Sequence, residues 1–179
     1  MDLARVLDRL AQLLREHDVE FAVIGGLALA AHGAARATID LDLLVSGEDA
    51  DRLHDILTAL GYETLHRSEN VANYASKQPG DGRVDVLFVR RARGRAILER
   101  ARPLPVLHRD DLRVVDVSDL IGLKVQSSSN DPARRRIDVA DIEQLLRLAP
   151  ELDLQRVREY FRLFDRESEL DALLAEIER

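Results

Sequence analysis

The chain has 179 residues, 46% hydrophobic and 33% charged, with no cysteine and a formal net charge of −7. That length fits one ordinary domain or a small core with an appendage, and the apolar content excludes a disordered chain. The lack of cysteine excludes disulfides and thiolate metal sites, leaving oxygen or histidine ligands, and the negative charge excludes a surface that is basic all round.

The first 17 residues set Leu3, Val6, Leu7, Leu10, Leu13 and Leu14 at helical spacing, which predicts an amphipathic helix over 3–17. Met1 is followed at once by this charged segment, with no signal-peptide apolar region and no apolar run long enough to span a bilayer; a cytoplasmic protein without a membrane partner is expected. Phe21-Ala22-Val23-Ile24 reads as a short buried strand ended by Gly25-Gly26, and 27–32 as a short helix closed by Gly33. Residues 39–45 form a second strand and 48–60 a helix ending at Gly61. Strands follow at 62–66, 71–77 and 84–89, the last after a Pro79-Gly80-Asp81-Gly82 turn. A helix is expected over 93–101, with extended pieces at 104–107 and 112–115. Ser118 can cap a helix to about residue 127, and Asn130-Asp131-Pro132 can begin another, stopped by Pro150. Residues 153–165 and 168–178 give one or two last helices. Strands dominate the first 115 residues and helices the rest, so the fold class is α+β.

Charge is unevenly spread. Residues 88–113 carry eight arginines against three acids, and 151–179 nine acids against five arginines. Either cluster can be a solvated face, and the basic one can also meet a polyanion. Only two of the 26 basic residues are lysines, Lys77 and Lys124.

Three short patterns can carry chemistry. Asp40 and Asp42 are two apart in the strand Thr38-Ile39-Asp40-Leu41-Asp42-Leu43, so both carboxylates share one face while Ile39, Leu41 and Leu43 are expected in the core. Two adjacent carboxylates repel, and a hard divalent cation such as Mg²⁺ would compensate them; an exposed acidic face is the other reading. Gly25 and Gly26 stand at a strand-to-helix junction, where free backbone N–H groups can cradle phosphates, or where packing alone needs glycine. Asp85 interrupts the apolar run Val84 to Phe88, and can pair with an arginine or complete a carboxylate triad with Asp40 and Asp42.

Further along, Lys124 lies three and four residues after Ile121 and Leu120, on an apolar stripe. Asp141 is on the apolar side of the next helix, and Asp138 is one turn earlier. Lysine and aspartate on facing apolar stripes should pair. That pair can fix the two helices, or it can present Lys124 to a phosphate. Arg36, four residues before Asp40, is another phosphate candidate.

Gly25-Gly26, thirteen residues, Asp40-x-Asp42 and a later strand Asp85 together resemble the signature of the DNA polymerase β-like nucleotidyltransferase superfamily. Residues 24–33 and 36–42 resemble most closely the opening motif of bacterial AbiEii-type nucleotidyltransferases, many of them toxins of toxin–antitoxin systems, and the resemblance covers roughly residues 5–148. It implies a mixed sheet with flanking helices, a catalytic core over 1–116 and a C-terminal helical region over 117–179 packed on it. It implies transfer of a nucleoside monophosphate from a nucleoside triphosphate to an acceptor, with Asp40, Asp42 and Asp85 as catalytic ligands of two Mg²⁺ ions and Mn²⁺ as an alternative. Gly25, Gly26, Arg36, Lys124, Asp138 and Asp141 would then serve the nucleotide, Lys124 with a catalytic role. A tRNA, a protein or a small molecule could be the acceptor, and a cognate antitoxin a partner; the alternative is a catalytically silent nucleotide-binding or antitoxin-like protein of this fold. In one departure, the superfamily commonly has serine where this chain has Gly26.

Overall fold

The structure, a computed structural model, describes residues 2–34, 37–149 and 152–177, so the candidate Arg36 lies outside the described residues. Two units divide the chain: Met1–Ala31 with Arg36–Val115, and His32–Ala35 with Asp116–Arg179.

The first unit is built on a sheet. Its elements are α1 (Leu3–Glu16), β1 (Phe21–Val23), α2 (Gly25–Ala31), β2 (Asp40–Ser46), α3 (Ala50–Ala59), β3 (Tyr62–Arg67), β4 (Val71–Ser76), β5 (Arg83–Val89), α4 (Ala92–Arg100), β6 (Arg102–Val106) and β7 (Arg109–Val114). Among the described residues the sheet has seven strands in the order β3-β4-β5-β2-β1-β7-β6. It is mixed: β2 pairs with β5, and β1 with β7, in parallel, and the remaining neighbours are antiparallel.

Period-2 patterning sets the faces of the central strands. Leu41, Leu43 and Val45 of β2 are buried, as are their β5 register partners Val84, Val86 and Phe88. Fully burying such a side chain is worth roughly 1.5–3 kcal/mol, so a one-residue slip of either strand, which turns its three to the opposite face, is strongly opposed. Ile39, expected in the core, is instead 72% exposed. It precedes the first residue of β2, so the alternation that buries Leu41 and Leu43 does not yet bind it.

Helix α1 buries Val6, Leu7, Leu10, Ala11 and Leu14 along one stripe. Its exposed side is tied to the β6–β7 hairpin by charge. Arg109 grips Asp111 through Nε and Nη2 at 2.9 and 2.7 Å, and reaches Asp8 of α1 at 3.0 Å. Arg15 of α1 meets Asp111 at 2.7 Å. The Arg109 hydrogen bonds, helped by Arg15, hold the Asp111 carboxyl below its usual range. A folded-state value below the unfolded one, about 3.9, gives stability that is present above that pH and is lost as pH falls through the folded value. Asp111→Asn should therefore unfold at slightly lower denaturant than wild type at pH 7. The gap should close as the pH is lowered below about 4. A gap that stayed constant in denaturation series from pH 7 to 3 would remove the ion pair as its cause.

The second unit is helical: α5 (Val117–Asn130), α6 (Arg135–Leu148), α7 (Leu154–Arg162) and α8 (Glu167–Ile177). Two expected starts move. The carboxylate of Asp116, not Ser118, caps α5 by accepting from the Ser118 N–H at 3.0 Å, which frees the Ser118 hydroxyl to accept from the Asp153 N–H at 2.9 Å. Asp131 accepts from the Ala133 N–H at 2.9 Å and closes a turn through Pro132, so α6 begins only at Arg135. Packing against α5 relies on Gly122, where an added Cβ would lie 2.6 Å from the ring of Tyr160. The Tyr160 hydroxyl donates to the buried Asp119 at 2.7 Å.

Candidate active site

Asp42 and Asp85 are register partners in the parallel β2–β5 pair, so both side chains leave the sheet on the same face from neighbouring strands about 4.8 Å apart. Asp40 follows on that face, two residues earlier and opposite Arg83. Leu44, the next residue of β2 on this face, is fully buried, whereas Asp40, Asp42 and Asp85 are partly open and Arg83 is exposed. The carboxylates thus occupy the end of the strand pair where this face becomes accessible.

The two glycines have a steric meaning here. Gly25 has φ +63, in the left-handed region that favours glycine, and an added Cβ would fall 2.6 Å from Asp42 Cβ and closer still to its carboxylate. An added Cβ on Gly26 would lie 2.6 Å from Thr38 Cβ and 2.8 Å from Thr38 Oγ1. A serine there would collide with Thr38 unless Thr38 moved. The Ile24 N–H donates to the Asp42 carbonyl at 3.1 Å, and the Thr38 hydroxyl to the Asp40 carbonyl at 3.2 Å. These contacts bring the glycine junction, where α2 begins at Gly25 and not at 27, against the acidic end of β2.

Two neighbours of the carboxylates were not marked in the sequence. Arg83 faces Asp40 across the parallel pair. Asn73 of β4 is the register partner of Asp85, and its Nδ2 donates to Asp85 Oδ1 at 2.7 Å. Arg83 follows a glycine turn and reads as a solvated strand end. An asparagine in mid-strand was the available signal for Asn73, because asparagine is depleted in strands.

The donors fit a hard divalent cation by chemistry: Asp40, Asp42 and Asp85 offer only carboxylate oxygens, and the missing Cβ of Gly25 leaves the Asp42 carboxylate its place. Among the described residues no three histidine, aspartate or glutamate side chains are gathered closely enough to hold a metal ion as they stand. The three carboxylates form an open row, and one oxygen of Asp85 is engaged by Asn73.

Lys124 belongs to the second unit. It is 5% exposed, and its Nζ lies 3.0 Å from Asp138 and 2.6 Å from Asp141. The buried ion pair between α5 and α6 is thus the arrangement present, and both aspartates share the lysine. Asp138 Oδ2 is buried without a hydrogen-bond partner, with Arg134 Nε 3.7 Å away. With two carboxylates around its ammonium, Lys124 joins α5 to α6.

Residues 1–175 match the sequence model of a family described as "Uncharacterised nucleotidyltransferase". A comparison with curated proteins finds no match. Among solved structures, the antibiotic-resistance factor ANT(2'')-Ia in solution is similar at 17% identity, over 98% of this chain and 98% of that one, with a TM-score of 0.69. ANT(2'')-Ia in complex with adenylyl-2''-tobramycin gives 15% identity, 92% and 98% coverage, and a TM-score of 0.70. The lincosamide antibiotic adenylyltransferase LnuA, lincomycin-bound, gives 14% identity, 81% and 97% coverage, and a TM-score of 0.59. At these identities the likeness shows the fold, a nucleotidyltransferase fold.

Proposed function

The chain belongs to this nucleotidyltransferase family, and from that premise we propose that it moves a nucleoside monophosphate from a nucleoside triphosphate to an acceptor hydroxyl, using Asp40, Asp42 and Asp85. The observation that carries the reading is the register of Asp42 with Asp85 on one accessible face, with Asp40 beside them. In this reaction the acceptor hydroxyl releases its proton to solvent as its oxygen bonds to the α-phosphorus, the bond from that phosphorus to the bridging oxygen breaks, and pyrophosphate leaves with the electron pair. Most of the rate in such a displacement comes from positioning and charge neutralisation.

Asp40, Asp42 and Asp85 would hold two Mg²⁺ ions, or Mn²⁺ in their place. Bound there, divalent ions supply charge neutralisation for the triphosphate and a lower pKa for the attacking hydroxyl. The chain's own residues do the positioning. β2 and β5 present the carboxylates from rigid paired strands, and the backbone at Gly25–Gly26 lets phosphates approach the acidic end of β2. Arg83, opposite Asp40, and Arg36 add positive charge for the triphosphate. In this reading Lys124, with Asp138 and Asp141, fixes α5 against α6 and does not contact the nucleotide.

Three acceptor classes follow from this chemistry: a small-molecule hydroxyl, a protein hydroxyl and the 3′ end of a tRNA. The small-molecule class draws support from the antibiotic ligands of ANT(2'')-Ia and LnuA. The tRNA class, and with it a toxin role opposed by a cognate antitoxin, rests on the resemblance of residues 24–42 to AbiEii-type proteins. Each α-labelled triphosphate, incubated with the protein and a cell lysate, should label one fraction in the presence of Mg²⁺ and none in EDTA. The labelled fraction identifies the acceptor class. Mg²⁺-dependent triphosphate binding with no label in any fraction would favour the catalytically silent alternative.

A further inference from the structure

β4 reads Val71-Ala72-Asn73-Tyr74-Ala75-Ser76. Ala72 and Tyr74 are fully buried on one face, and Asn73 points to the other, half-buried. An asparagine in mid-strand gives up the packing that a β-branched residue would supply, so its side chain should have work to do. Across the antiparallel β4–β5 pair it stands directly opposite Asp85, and across the parallel β2–β5 pair Asp85 stands opposite Asp42. Asn73, Asp85 and Asp42 therefore make one row over three adjacent strands.

Resting on the function proposed above, we infer that Asn73 is a positioning residue for the transfer: its side-chain amide holds the Asp85 carboxylate in one orientation toward Asp42. Three features of the contact support this. The Nδ2-to-Oδ1 distance of 2.7 Å is that of a strong hydrogen bond, and an ionised aspartate can only accept, which fixes which end of the amide faces it. The donor is neutral. An arginine or lysine in its place would orient Asp85 equally well but would cancel the charge that a cation or a reacting hydroxyl needs. The contact also engages a single oxygen, Oδ1, and leaves Oδ2 of Asp85 outside this bond. A partner that orients a ligating carboxylate without joining the reaction commonly matters about 10–100-fold in metal affinity or activity.

The test uses the full chain and two variants that delete the amide. Asn73→Leu keeps most of the volume, and Asn73→Val replaces a poor strand former with a good one, so at least one should fold as wild type. Mn²⁺ binding is followed by electron paramagnetic resonance, and transfer by steady-state kinetics on the acceptor found above. Each folded variant should bind Mn²⁺ about 10–100-fold more weakly. Its kcat should fall by a similar factor while KM for the triphosphate changes little, because the lost interaction acts at the reacting centre and not in holding the triphosphate. A residue that only stabilised the sheet would lower the melting temperature and leave Mn²⁺ affinity and kcat of the folded protein unchanged, and that result overturns the inference. If wild type binds Mn²⁺ and transfers nucleotide while a folded variant matches it, Asn73 alone loses its role. If wild type neither binds Mn²⁺ nor transfers, the proposed function fails with it.

Discussion

Asp42→Asn should reduce nucleotide transfer by at least about a thousandfold while the protein melts no earlier than wild type. The size follows from where charge is needed. Compensating the triphosphate and the leaving pyrophosphate is worth several kcal/mol of transition-state stabilisation, and each 1.36 kcal/mol is tenfold in rate. An amide in place of the carboxylate at the centre of the Asp40–Asp42–Asp85 row would forfeit much of that. The fold should be spared for two reasons. The backbone bond that ties this part of β2 to Ile24 runs through the Asp42 carbonyl and does not involve the side chain. The substitution is also nearly isosteric, so it fits the space over Gly25 that Asp42 fills. Removing one of two negative charges in register should if anything ease repulsion in the metal-free protein, since like charges directly opposite are destabilising. Single-turnover transfer and thermal melting without Mg²⁺ check the two halves separately. A variant that melted well below wild type would make Asp42 a structural acceptor and withdraw it from the chemistry.

The parts of this site that were legible in the sequence are those that depend on local period. Asp-x-Asp within an apolar alternation put two carboxylates on one face, and the strand around Asp85 announced itself by Val84, Val86 and Phe88. Register is not local. Nothing in residues 71–76 says that β4 lies against β5 with Asn73 opposite Asp85, because the pairing is decided by how three strands share a core. The glycines show the same division. A Gly-Gly junction suggested free N–H groups, but the reasons glycine is required are tertiary: the Asp42 side chain over Gly25 and the Thr38 side chain over Gly26. Helix starts were misplaced where competing side chains could cap. Ser118 and Asp116 are both good caps; Asp116 takes the helix start, and the Ser118 hydroxyl accepts from the N–H of Asp153, 35 residues away.

Lys124→Met should strongly destabilise the second unit. The lysine stem can be replaced by methionine with little change in packing, but the ammonium is the counter-charge for two aspartates that are 0% and 4% exposed. Removing one partner of a buried ion pair costs about 3–5 kcal/mol, because the charge left behind has lost its solvent and its partner. Here two buried carboxylates lose the lysine and face each other across the vacated Nζ position, with Arg134 still 3.7 Å from Asp138 Oδ2. A fall in melting temperature of roughly 10 °C is expected. The double variant Lys124→Met/Asp141→Asn discriminates the cause. If repulsion between the two aspartates is responsible, neutralising Asp141 should restore part of the loss. The two changes would then be less than additive by roughly 0.5–3 kcal/mol, the range for residues in direct contact. Asp141→Asn alone should cost less than Lys124→Met, since Asp138 at 3.0 Å still answers the lysine. Strict additivity would mean that the methionine packs badly and that charge is not the issue. Nucleotide transfer, measured at a temperature where the variants remain folded, should stay within a few-fold of wild type; loss of transfer from folded Lys124→Met would return the lysine to the nucleotide site.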